Sequence, residues 1–186
     1  MFVILNTMLT KLNTLDAVFI ALMAACGLAL KPIVGPLFKL IGSALLIPSG
    51  SMAGAIYMIW PMLAVLTVKR IGSATLVGLI QGIIVLITGI YGSHGILSLI
   101  TYVIPGIIID IIFILVRPFQ KQWLMCLPAA MGNVSGSALV GVIFMHIPLL
   151  PLIIGLIPAF IFGAIGGFLS LLLYQGLIKA FPIFNQ

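Results

Sequence analysis

Only two side chains in this 186-residue sequence are carboxylates, Asp16 and Asp110, and only two are imidazoles, His94 and His146. That inventory excludes most catalysis. An aspartic intramembrane protease needs two carboxylates sharing one site, whereas Asp16 falls at the edge of an apolar run and Asp110 deep inside another. No H-E-x-x-H, G-x-S-x-G or Walker A pattern occurs, so zinc hydrolysis, a serine elbow and ATP hydrolysis by a P-loop have no residues to carry them. The histidines lack an obvious third ligand for a metal. Cys26 and Cys126 are 100 positions apart in apolar stretches and read as small buried hydrophobes. No enzyme activity, metal or cofactor is expected.

The remaining polar side chains suit binding. Tyr57 and Trp60 are three apart, and Asn133 and Ser137 are four apart, so each pair shares a helix face. Gln81, His94 (in YGSHG) and Tyr102 (just before Pro105) complete the set. Together they give aromatic walls with a few hydrogen-bonding groups, the composition of a small-molecule pocket. Each also has a plainer role. Aromatic residues form belts at membrane interfaces, and amides bond between helices in lipid. Asp110 stands apart: a lone intramembrane carboxylate is costly unless it is paired or wetted. Arg117 is two turns away, about 10 Å along a helix axis. A hydrogen-bonded structural role and a cation site both remain open for it.

The elements that position these groups are membrane spans. Hydrophobic residues make up 63% of the chain and charged residues 5%, with a mean hydropathy of +1.44, too little charge to cover a soluble surface. The opening MFVILNTMLT lacks the basic start and cleavage site of a secretory signal. Six apolar runs are expected to cross the bilayer: 14–30, 53–68, 72–90, 95–116, 123–146 and 151–176. The stretch 31–52, broken by Pro32, Gly35, Pro36, Pro48 and Gly50, is expected to be a long, lid-like outer loop with a short helix, lying on or dipping into the outer face. The fold class is thus an all-α integral membrane protein, one domain over 1–186, a bundle of six transmembrane helices with a long outer loop after the first.

Basic residues give the orientation. With both termini cytoplasmic, Lys11, Lys69, Arg70, Arg117, Lys121 and Lys179 lie inside and only Lys31 and Lys39 outside. The net charge of +6 is too scattered to form a nucleic-acid surface, so no nucleic-acid partner is expected. Gly78 and Gly82, Gly132 and Gly136, and Gly163 and Gly167 are each four apart, a spacing that lets helices pack closely in lipid.

The stretch DAVFIALMAACGLALK carries alanines at 17, 21, 25 and 29. Residues four apart drift by only about 40° around a helix, so the four form a smooth stripe. The stripe, the six spans, the long first outer loop and YGSHGILSLITYVIPGIIIDII resemble the substrate-binding S component of an energy-coupling factor transporter. The resemblance implies uptake of a small water-soluble nutrient across the cell membrane, with a thiamin- or hydroxymethylpyrimidine-like molecule as the first expectation. It implies that Ala17, Ala21, Ala25 and Ala29 dock on a membrane-embedded T subunit, with two cytosolic ATPases driving release. Nickel and cobalt members carry a histidine directly after the initiator methionine; Phe2 stands here. A stand-alone channel or carrier for a small neutral solute is the alternative.

Overall fold

The computed structural model describes residues 12–45, 49–89, 95–119 and 121–181. Among these the regular structure is all helical: α1 (Thr14–Leu45), α2 (Ser49–Tyr57), α3 (Ile59–Val68), α4 (Ser73–Thr88), α5 (Leu97–Val116), α6 (Leu127–Ile143) and α7 (Leu149–Ala180). Two 3-10 turns, Arg117–Phe119 and Gln122–Cys126, join α5 to α6. Five stretches are long and apolar enough to span a bilayer: Thr14–Ile41, Gly50–Val68, Leu97–Phe119, Gln122–Ile143 and Leu149–Ala180. The 16-residue α4, about 24 Å long, is the sixth rod.

The first helix corrects the expected boundary at Lys31-Pro32. It runs on through Pro32 and Pro36 to Leu45, so residues 31–45 are helix and not loop. Each proline removes one N–H from the helix ladder. Leaving the helix would free many more backbone groups where no water can pair them. At its start Asn13 precedes the first turn, and its backbone N–H donates to the Asp16 carboxylate at 3.0 Å. The same carboxylate lies 3.8 Å from Arg70 Nε and ties α1 to the turn before α4.

The second rod is kinked where its sequence demands it. Pro61 has no N–H to give the Tyr57 carbonyl, and its ring crowds that carbonyl. The helix accordingly breaks at Met58, between α2 and α3. This rod is the most buried of the candidate spans. It packs against α1, α4 and α7, while α4, α5, α6 and α7 pack successively on one another. Met62, Val65, Ile109, Phe113 and Ala129 form one core cluster where α3 meets α5 and α6. Phe19, Ile20, Met23, Ala24 and Val77 form another where α1 meets α3 and α4. Large apolar side chains such as Ile87, Leu115, Ile154 and Ile161 face outward, as expected of a surface that meets lipid.

Small residues permit the close packing. A Cβ on Gly78 would fall 2.3 Å from the Tyr102 carbonyl oxygen, and one on Gly106 would fall 2.6 Å from that of Ala74. So α4 and α5 touch backbone to backbone. One turn beyond Gly106, Asp110 reaches the first turn of α4. It accepts from the N–H of Ala74 at 3.2 Å, the N–H of Thr75 at 2.9 Å and the Thr75 hydroxyl at 2.6 Å. Ser73 N–H bonds the Arg70 carbonyl, so the N–H groups of residues 73–75, which have no partner within the helix, are all used. Gly72, at φ 89°, has no side chain to act as a cap; Asp110 supplies it from the neighbouring helix. These bonds give Asp110 the hydrogen-bonded structural role. Asp110→Ala is expected to cost about 1–3 kcal/mol, read as a lower melting temperature in detergent. Asp110→Asn, which keeps an acceptor oxygen, should lose less.

Candidate functional site

The pocket expected from sequence must form where the polar groups of different rods converge. A cavity of about 440 Å³ lies within the bundle, at the end holding Lys31 and Lys39. The turn at Lys69-Arg70 and the turns around Arg117 and Lys121 connect the rods at the other end. The volume falls in the range of small-molecule pockets. Tyr57, Gln81, Tyr102, Asn133 and Ser137 all border the cavity. Trp60 does not border it. Trp60 packs instead against the α1–α3–α4 cluster. His94 lies outside the described residues. His146 is exposed in the α6–α7 turn, at φ 48°, and is not on the cavity wall.

The polar wall residues divide by what already occupies them. Asn133 donates both amide hydrogens to backbone carbonyls, Ser51 of α2 at 2.9 Å and Ala159 of α7 at 2.7 Å. It therefore ties three rods together. A Cβ on Gly54 would lie within 2.3 Å of three Asn133 side-chain atoms, so only glycine admits the amide there. Gln81 donates to the Ala24 carbonyl of α1 at 3.2 Å, beside Gly27. Ser137 accepts a longer bond, 3.4 Å, from the Ser51 hydroxyl.

Lys31 is the wall residue that sequence reasoning missed. It was counted with the basic residues of an outer loop. The buried face of α1 carries Ile20, Ala24 and Gly27, and the same spacing, continued one turn, arrives at Lys31. The signal was present, and the assumed helix end at Pro32 concealed it. The Lys31 ammonium donates to the Tyr102 hydroxyl. It also lies 3.6 Å from the centroid of the Tyr102 ring and 5.4 Å from that of Tyr57, within cation–π range of both. Ser98 also borders the cavity, 1% exposed. Its hydroxyl has no hydrogen-bond partner among the described residues. Thr101 is on the wall too, and its hydroxyl bonds the Ser98 carbonyl.

The stripe on α1 lies away from this cavity. Ala17, Ala21, Ala25 and Ala29 are all exposed, whereas Phe19, Ile20, Met23, Ala24 and Leu28 of the same helix are buried. The exposed side is therefore a smooth strip flanked by the bulk of Leu15, Val18 and Leu22.

An all-helical bundle, apolar outside and enclosing a cavity, defines a multi-pass membrane protein. Residues 15–136, about two-thirds of the chain, match the family described as ABC-type cobalt transport system, permease component, and the chain belongs to that family. It is thereby a membrane component of an ABC-type transporter, a class that works with other transporter subunits. No curated protein and no solved structure matches it. Among the described residues, no group of three or more His, Cys, Asp or Glu side chains is placed to hold a metal ion.

The bonding pattern of the wall separates Asn133 from Ser137 by effect. Asn133→Ala is expected to lower the stability of the ligand-free protein by about 1–3 kcal/mol, since two carbonyls lose their donor. Ser137→Ala, which breaks one long bond, should melt close to the unaltered protein. Thermal unfolding of both in the same detergent checks the contrast.

Proposed function

We propose that this chain is the substrate-binding S component of an energy-coupling factor importer. In this reading it takes a small nutrient into the cavity from outside and hands it on after docking with a membrane-embedded T subunit. Two cytosolic ATPases supply the energy, since this chain has no P-loop of its own. The observation that carries the reading is the exposure of all four alanines on one side of α1. A lipid-facing helix gains nothing from its smallest side chains, but a partner helix does. Small residues let two backbones approach closely, and that approach drives association where lipid offers no hydrophobic gain. The cavity is separate from the stripe, so binding and docking are separable functions.

The orientation follows the charge bias: the cavity end carries Lys31 and Lys39 and faces outward, and the end with Lys69, Arg70, Arg117, Lys121 and Lys179 faces the cytoplasm. Lys39 borders the cavity on the far half of α1. That half takes the place of the loop first expected to cover the mouth. A thiamin-like ligand is no longer the best fit, because its fixed cation would meet the Lys31 ammonium. The other reading, a stand-alone channel or carrier, gives the alanine strip no purpose.

The double substitution Ala21→Trp, Ala25→Trp tests docking. Against lipid, larger apolar side chains are tolerated, so the protein should remain folded and monodisperse with an unchanged melting temperature. Transport in cells should stop, and co-purification with a membrane subunit and its ATPases should be lost. Unimpaired transport by the double variant would overturn the docking role.

A further inference from the structure

The cavity is rich in hydrogen-bond donors and has no negative charge. Neither carboxylate of the chain borders it: Asp16 is engaged with Asn13 and Arg70, and Asp110 with Ala74 and Thr75. Lys31 is thus a cation inside a largely apolar bundle without a carboxylate to balance it. Removing an ammonium from water is costly. Two aromatic rings offset part of that. An ammonium has three N–H donors, and the Tyr102 hydroxyl takes one of them. Because Tyr102 accepts from Lys31, its own O–H stays available to donate. Ser98, one turn before Tyr102 on the same face of α5, holds a buried hydroxyl with no partner among the described residues. Two spare N–H groups and two hydroxyls therefore gather on one stretch of wall. A carboxylate, with two oxygens and about four acceptor sites, matches this set in charge and number.

We infer that the cavity binds a small organic acid, with its carboxylate against Lys31, Tyr102 and Ser98 and its apolar part against walls such as Met58, Pro61, Leu152 and Leu156. The inference rests on the importer reading above and names its substrate class. Lys31 on the wall and Lys39, exposed at the border, are both basic, which favours an anion and disfavours a free divalent metal ion, so the cargo differs in kind from the one in the family's description.

The test is retention from a defined mixture. Purified protein in detergent is incubated with a deproteinised small-molecule extract of the producing cells, and separately with cobalt chloride. It is then washed, and the released molecules are identified by mass spectrometry. The unaltered protein should retain a carboxylic acid and no cobalt. Lys31→Met should lower retention of that acid by roughly tenfold or more, and Lys31→Arg should restore much of it. If Lys31→Met does not fold, the primary amide of the retained acid replaces it as the control, and it should bind the unaltered protein at least about tenfold more weakly than the acid. Retention of a neutral or cationic molecule, or of cobalt, overturns the inference and leaves the importer reading standing. So does an acid retained equally by folded Lys31→Met, or an amide that binds as well as the acid. Retention of nothing by the unaltered protein removes both.

Discussion

A bilayer core offers no water to a polar group, so each polar group in this chain needs a partner within the protein. Most of the buried ones find it on another rod. Asp110 closes the first turn of α4 from α5. Asn133 joins α6 to α2 and α7, and Gln81 joins α4 to α1. Ser170 on α7 bonds the Ile59 carbonyl of α3 and the Gly166 carbonyl of its own helix. These side chains act as cross-ties between rods whose greasy surfaces alone would specify little, because lipid is as apolar as leucine.

Close approach makes the ties short enough to work. Where α5 crosses α4, Gly78 meets the Tyr102 backbone and Gly106 meets that of Ala74. Asp110 reaches its amides because Gly106 lets the two helices touch. Gly54 does the same for Asn133. The glycines and the polar residues are one device: the small residue admits the neighbour and the polar residue holds it in register.

Against that background the exceptions stand out. Trp60, Thr67, Ser98 and Arg117 each hold a buried polar atom without a partner among the described residues, and of these Ser98 borders the cavity beside Lys31. Chains in lipid rarely carry such groups without a use for them. The alanine strip is an exception of another kind, an apolar surface with its bulk removed on the side that the bundle leaves uncovered. The site that accepts a ligand and the face that accepts a partner therefore read by one logic. Each is a place where the fold stops short of satisfying itself.

The sequence by itself determined the class. Composition and the spacing of apolar runs required a helical membrane bundle, and the span ends expected at 68 and 116 coincide with the ends of α3 and α5. The four-residue spacing of the alanines gave a single stripe without any tertiary information. Asn133 and Ser137 shared a face as expected, and both reached the cavity. What the sequence could not decide was which rod each polar group faces. Trp60 packs on the α1–α3–α4 cluster and not on the cavity, and α1 outlasted two prolines because its surroundings penalised unwinding more than the lost bonds did. Lys31 moved from an assumed loop to the cavity wall for the same reason. Asp110 and Asn133 found partners 35 or more and 26 or more positions away, contacts that exist only once the rods are assembled. Local chemistry set the rods and their ends; the packing between them chose the site.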